Sequence, residues 1–132
     1  MSLILQILKT VPFFESLTDE ENETVMAHIV EEFYPANYKL FSKGDFGDRM
    51  YIIKSGKVRI SDEGKVLAEL EQGSFFGEMA LIEATTRNAT AETETDTELF
   101  VLKTEDVNSL LRQRPEIGEK IKEAYRKRKA KP

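Results

Sequence analysis

Gly73-Ser-Phe-Phe-Gly-Glu-Met-Ala-Leu-Ile-Glu-Ala-Thr-Thr-Arg-Asn-Ala-Thr90 joins a glycine turn to one short helical stretch and sets an arginine nine residues after its glutamate. An anion resting on a helix N-terminus meets unpaired N–H donors and the positive end of the backbone dipole, so the stretch reads as a phosphate cradle. Gly77 has no side chain to hold an anion away from the backbone. Arg87 closes over that anion with a planar fork of donors whose charge is never lost. Gly77, Ala80 and Ala89 would offer backbone N–H groups, and ordinary turn and packing use explains the same small residues. Glu78 is a puzzle in such a place, because a carboxylate repels a phosphate unless its oxygens have other work.

Outward from this stretch the pattern is that of a β domain between helical ends. Thr18-Asp-Glu-Glu21 is a capping-box pattern, and Val25, Met26, Ile29 and Val30 follow at helical spacing while Glu23 and Glu31 stay wet. From Phe33 to Leu102 the period becomes that of strands. Val66, Ala68 and Leu70 alternate with Lys65, Glu69 and Glu71, and Met50 to Ile53 is a continuous apolar run suited to a strand covered on both faces. Turns are marked at Gly44, Gly47, Ser55-Gly56, Glu63-Gly64 and Gln72-Gly73. Short strands with turns at about ten-residue intervals predict an eight-stranded antiparallel jelly-roll β-barrel, mainly β with flanking helices.

Helical spacing returns with Thr104 as the expected cap, Glu105 and Asp106 in the first turn, and Val107, Leu110 and Leu111 facing inward. Pro115 then separates a last helix whose Ile117, Ile121, Ala124 and Tyr125 line one stripe, with Gly118 lowering helix propensity early in it. The expected organisation is an N-terminal helical segment over 1–31, a β-roll over 32–103 containing the cradle at 73–91, and two C-terminal helices with a basic tail over 104–132. Leu3 to Leu8 reads as a short packed helix rather than a leader, being broken by Gln6 and stopped by Lys9 and Pro12. No stretch approaches the roughly 20 apolar residues that span a bilayer, so no membrane segment is expected.

A chain of 132 residues is the size of one domain with one core. With no cysteine and the single His28, it lacks a disulfide framework, a thiolate metal site and a histidine cluster, which permits a cytoplasmic location. The net charge of −5 is uneven: Glu119 to Pro132 holds seven Lys or Arg against two Glu, leaving a net −10 on the rest. An acidic body argues against broad nucleic-acid binding. The tail Arg126-Lys-Arg-Lys129 suits a solvated helix end, where cations are favoured by the dipole.

The quoted stretch, with Lys43-Gly-Asp-Phe-Gly-Asp-Arg-Met-Tyr-Ile-Ile-Lys-Ser-Gly-Lys-Val58 upstream, resembles the cyclic nucleotide-binding domain family, and the resemblance runs from about Leu8 to Tyr125. It implies a jelly roll with helices at each end and a phosphate-binding cassette in which Arg87 pairs with the cyclic phosphate. It also implies that Glu78 accepts a hydrogen bond from the ribose 2′-hydroxyl, which answers the puzzle of its charge. Met79 belongs to the same cassette, where with Phe75, Phe76, Leu81 and Ile82 it reads as core and hinge packing. Val58 and Leu70 either line a base pocket or belong to the core, and Tyr125 or Arg126 would cover the base from the last helix.

The sequence departs from the family pattern twice. Thr86 replaces a proline that commonly precedes the arginine, and Asn88 follows it where a small residue favours cAMP and a threonine or serine assists cGMP. The expectation is a sensor or regulatory domain for a cyclic nucleotide, cAMP before cGMP, with no cofactor besides that ligand and no catalysis. No kinase, channel, cyclase or helix-turn-helix pattern is legible, so the effector is not identifiable, and the stripe on the last helix leaves dimerisation open. A degenerate roll that serves as a protein-interaction scaffold is the alternative. An enzyme would need a nitrogen ligand set or a nucleophile elbow, and the sequence carries neither.

Overall fold

The apolar run Met50–Ile53 and its partner Leu99–Leu102 form the two central strands around which a computed structural model builds the chain. Residues 2–83 and 85–130 are described, with the side chains of 128–130 excepted. Of the basic tail, the side chains at 128 and 129 therefore lie outside the described residues.

Helices α1 (Leu3–Leu8) and α2 (Asp19–Met26) precede strands β1 (Val30–Tyr34), β2 (Lys39–Phe41), β3 (Phe46–Gly47), β4 (Arg49–Ser55), β5 (Val58–Asp62), β6 (Lys65–Leu70) and β7 (Phe75–Phe76). A 3₁₀ turn at Glu78–Leu81 leads to β8 (Thr85–Thr86), β9 (Thr90–Thr93) and β10 (Thr97–Lys103), then to α3 (Thr104–Gln113) and α4 (Pro115–Ala130). Eight strands make two four-stranded antiparallel sheets, ordered β1-β10-β4-β7 and β2-β9-β5-β6, as the jelly roll requires. The remaining two, β3 and β8, form a separate two-stranded ribbon, an addition to the eight expected.

The period of two in β4 explains its uninterrupted apolarity. Met50 and Ile52 face the helices, packing with Leu8, Phe13, Phe14, Leu110, Ile117 and Ile121, whereas Tyr51 and Ile53 face the roll interior with Val58, Ala91, Leu99 and Val101. Each such side chain taken fully out of water contributes about 1.5–3 kcal/mol. Both faces of the central strands are thus covered, one by helices and one by the second sheet.

The capping box at the start of α2 forms as expected. Glu21 N–H donates to Thr18 Oγ1 at 3.1 Å, and Thr18 N–H donates to Glu21 Oε1 at 2.9 Å. The same Oε1 accepts from Lys120 Nζ at 2.6 Å, so one carboxylate fastens α2 to α4. Pro115 opens α4, where it needs no N–H partner. A Cβ on Gly118 would lie 3.2 Å from Leu111 Cδ2, so this glycine serves the close approach of α4 to α3. The stripe expected on α4 is filled by the chain's own core, with Ile117 and Ile121 buried and Ala124 and Tyr125 packed against it.

Three local expectations are corrected. Val30 is not on the packed face of α2 but opens β1 and is exposed, because the helix ends at Met26. Val66 is exposed with Leu67 on β6, an edge strand covered on one side by nothing but solvent. Thr104 is the first residue of α3 rather than its cap, and its hydroxyl donates to Ala80 O at 2.7 Å. No helix among the described residues is long and apolar enough to cross a membrane.

The Lys120 ammonium, followed by the Thr18 N–H, holds the Glu21 carboxyl below its ordinary range. A carboxyl that binds its proton less readily when folded stabilises the fold above its unfolded value and loses that contribution as pH falls through the folded value. Melting from about pH 7 to about pH 3 should therefore show wild type exceeding Lys120→Met by up to about 1 kcal/mol at neutral pH, with the gap closing in acid. A gap independent of pH would contradict this.

Candidate functional site

Arg87 reaches the site because its backbone is pinned before its side chain is placed. Its N–H donates to Asp45 O at 2.7 Å and its carbonyl accepts from Gly44 N–H at 2.8 Å, so the loop after β2 clamps the residue that follows β8. The β3–β8 ribbon, pairing Phe46 with Thr86 and Gly47 with Thr85, continues that clamp.

The guanidinium lies in a slot made by what two glycines lack. A Cβ on Gly77 would stand 2.7 Å from Arg87 Nη1, and one on Gly47 would stand 3.0 Å from both Cζ and Nε. Gly77 also holds φ at +78°, a conformation that an L side chain rarely adopts. Nη2 donates to Arg49 O at 2.8 Å, Nη1 donates weakly to Gly77 O at 3.4 Å, and Cζ sits 4.2 Å from the centre of the Phe41 ring.

The charge in this slot is not neutralised. Arg87 is 8% exposed and, among the described residues, forms no ion pair within 4.0 Å. Burial pushes its guanidinium below the ordinary arginine value, and Tyr51 and Asp48 offset this only by charge at a distance. Asp48 is otherwise engaged: the Arg49 hydrogen bond, from Nε at 3.0 Å, holds its carboxyl below the usual range. Arg87 Nε is buried with no hydrogen-bond partner. An orphaned N–H on a desolvated cation costs about 1–3 kcal/mol or more, which is retained where a ligand supplies the missing acceptor.

A cavity of about 400 Å³ opens beside this group. The seven cassette residues expected to meet the ligand all border it: Gly77, Glu78, Met79, Ala80, Arg87, Asn88 and Ala89. Glu78 opens the 3₁₀ turn, Asn88 is exposed at the rim, and Ala80 and Ala89 are buried in the wall. Ala80 N–H is already engaged with Gly77 O at 3.3 Å, closing the turn, so it is not the open donor that was expected. Met79 both borders the cavity and packs against the helical core, as does Phe76 against the roll core.

Val58 and Leu70 do not border the cavity; they face each other across β5 and β6 and pack in the roll core. Tyr125 and Arg126 are likewise absent from its walls. Tyr125 O–H donates to Glu83 Oε2 at 3.0 Å and its ring lies 6.4 Å from that of Phe13, while Arg126 pairs with Glu123 at 2.8 Å on the exposed side of α4. Glu83 itself borders the cavity, so Tyr125 touches the site's edge from outside. Phe41 and Ile60 form the apolar wall, and sequence reasoning missed both. Their signal was only apolarity, which strand residues of any core share.

Among the described residues no group of His, Cys, Asp and Glu is arranged to hold a metal. The sequence profile of the family described as Cyclic nucleotide-binding domain matches residues 31–114. The Cyclic AMP receptor protein of Thermus thermophilus is 34% identical over 119 residues, covering 86% of this chain and 55% of that protein, so the chain spans about half the relative's length. Among solved structures, the N-terminal domain of a transcriptional regulator from Streptomyces coelicolor superposes with a TM-score of 0.82 at 29% identity, covering 92% of this chain and 91% of the other. The regulatory domain of Toxoplasma gondii PKA, solved with cAMP, gives a TM-score of 0.74 at 29% identity over 81% of this chain and 42% of that one.

The slot yields a direct expectation. Gly77→Ala forces a left-handed alanine and drives a methyl into Nη1, so it should lower the unfolding free energy by about 1–3 kcal/mol in a denaturant titration. An unchanged midpoint would mean that the turn has another conformation available.

Proposed function

The chain belongs to the cyclic nucleotide-binding domain family, and from that premise we propose that it is a sensor module that binds a cyclic nucleotide, cAMP before cGMP, in the cavity beside Arg87. The observation that carries this is the buried Arg87 guanidinium, with no neutralising carboxylate and a hydrogen-bond donor left unpartnered, in a residue that lines a cavity of about 400 Å³. That size falls within the roughly 300–1,000 Å³ of small-molecule sites.

In this reading the cyclic phosphate, a single negative charge, takes the fork of Arg87 and supplies the acceptor that Nε lacks. Glu78 accepts the ribose 2′-hydroxyl, which leaves a deoxyribose analogue with a desolvated, unanswered carboxylate. The purine lies toward the apolar wall of Phe41 and Ile60. Asn88 at the rim is neither the small residue that favours cAMP nor the hydroxyl that assists cGMP, so the preference for cAMP is supported by the cAMP named in the Thermus relative and bound in the Toxoplasma structure.

Two hydrogen bonds carry the signal outward in this proposal. Ala80 O is held by Thr104 at the start of α3, and Glu83 is held by Tyr125 on α4, so inward movement of the cassette acts on both helices. The nucleotide biases these helices only by its different affinity for two arrangements of them. The domain is regulatory rather than catalytic, and it acts in the cytoplasm on an effector outside the described residues. A bare scaffold would have no use for an orphaned buried donor, which disfavours that alternative.

Calorimetric titration with cAMP and cGMP should give saturable one-to-one heat, tighter for cAMP. Arg87→Ala, shown folded by its melting curve, should lose about 2–5 kcal/mol of binding free energy. Absence of heat from both nucleotides, with protein folded and free of bound ligand, would overturn the proposal in favour of the scaffold.

A further inference from the structure

We propose that Phe41 is the positioning residue for the anion-binding guanidinium: its ring face holds Arg87 desolvated and aimed at the cavity while leaving its charge unspent. The proposal deepens the reading given above and rests on it for the ligand, but its first test needs none.

A buried arginine is ordinarily held by a carboxylate, which fixes it and cancels its charge together. Here the two tasks are separated. Two backbone carbonyls, Arg49 O and Gly77 O, take one N–H each, and neither cancels a full charge. The ring of Phe41 supplies the remaining side, 4.2 Å from Cζ, where the negative face of an aromatic quadrupole attracts a cation without neutralising it.

The ring is itself held. Its centroid lies 6.0 Å from that of Tyr51 and 6.2 Å from that of Phe76, and these two stack on each other at 5.0 Å. β2, which carries Phe41, pairs with β9 through Phe41 and Ala91, and so fixes the ring from the backbone side. The nearby acids Asp45 and Asp48, whose charges already act on Arg87, are the competitors that would draw the guanidinium off this platform. Leucine at position 41 fills space but has no quadrupole, so the guanidinium would lose its preference for the slot over those acids.

The test begins with the ligand-free protein. The Arg87 Nε–H, identified by its loss in Arg87→Lys, should show nuclear Overhauser contacts to the Gly47 Hα protons in wild type, because the guanidinium fills the space beside that glycine. It should keep those contacts in Phe41→Tyr and lose them in Phe41→Leu. Contacts retained in Phe41→Leu would overturn the proposal, whether or not any nucleotide binds.

In titrations with cAMP, Phe41→Leu should bind about fivefold to tenfold more weakly, with Phe41→Tyr close to wild type. Equal affinity in Phe41→Leu and wild type would overturn it, as would equal weakening in both variants, which would make the residue mere packing. If Phe41→Leu proves unfolded by its melting curve, Phe41→Tyr and Phe41→Trp carry the test, and loss of binding in both ring-bearing variants counts against it. Failure of wild type itself to bind either cAMP or cGMP would reject the sensor reading and leave the cross-peak result to decide the role of Phe41.

Discussion

A positive charge buried without a negative partner is the constraint around which this chain is arranged. Desolvating a guanidinium is expensive, and most proteins offset it with a carboxylate close by. Here Asp48, whose charge acts on Arg87 at a distance, is turned to Arg49, and Arg87 is left with backbone carbonyls and an aromatic face. That arrangement demands empty space at Gly47 and Gly77, a backbone clamp from Gly44 and Asp45, and a ring on β2. The buried cation with an unpaired donor is the stability cost in this set, one that a purely structural roll would have no reason to keep.

The fold answers the constraint by dividing its packing in two. The helical core absorbs the outer face of β4 and β10 and gives the module its stability, while the roll core is aromatic near the site, with Phe41, Tyr51 and Phe76 grouped around the arginine. The cassette lies where the two meet. Its Met79, Leu81 and Ile82 belong to the helical side, and Gly77, Arg87 and Ala89 belong to the cavity. In the proposed reading, a ligand drawn toward Arg87 would act on residues that also support α3 and α4. The bonds from Thr104 to Ala80 and from Tyr125 to Glu83 mark where the helices are fastened to that boundary.

Much of this was legible in the sequence, for physical reasons that differ by element. The capping box at Thr18 and the both-faces-covered run Met50–Ile53 depend on spacing alone, and both formed as read. That Gly77 to Ala80 and Arg87 to Ala89 belong together was legible from glycine and arginine at set positions in one short stretch, and these seven residues share one cavity. Position-specific roles were less so. Val58 and Leu70 have the alternating pattern of a pocket wall and of a core strand alike, and only packing assigns them to the core. Phe41 was invisible because its partner Arg87 is distant along the chain and no local pattern marks a ring as a platform for a cation. Thr104 looks like a cap in any helical pattern, and its turn toward Ala80 depends on a cassette carbonyl that only the fold brings near.

The most direct measurement of the central claim is a two-dimensional ¹H–¹⁵N titration of the labelled chain with cAMP, followed at the backbone of Gly77 to Ala80 and Arg87 to Ala89 and at the Arg87 Nε–H. The account predicts saturable changes centred on these groups, with the Nε–H moving downfield as its missing acceptor arrives. A spectrum unchanged at saturating nucleotide, or one that changes while the Arg87 Nε–H stays still, would contradict it.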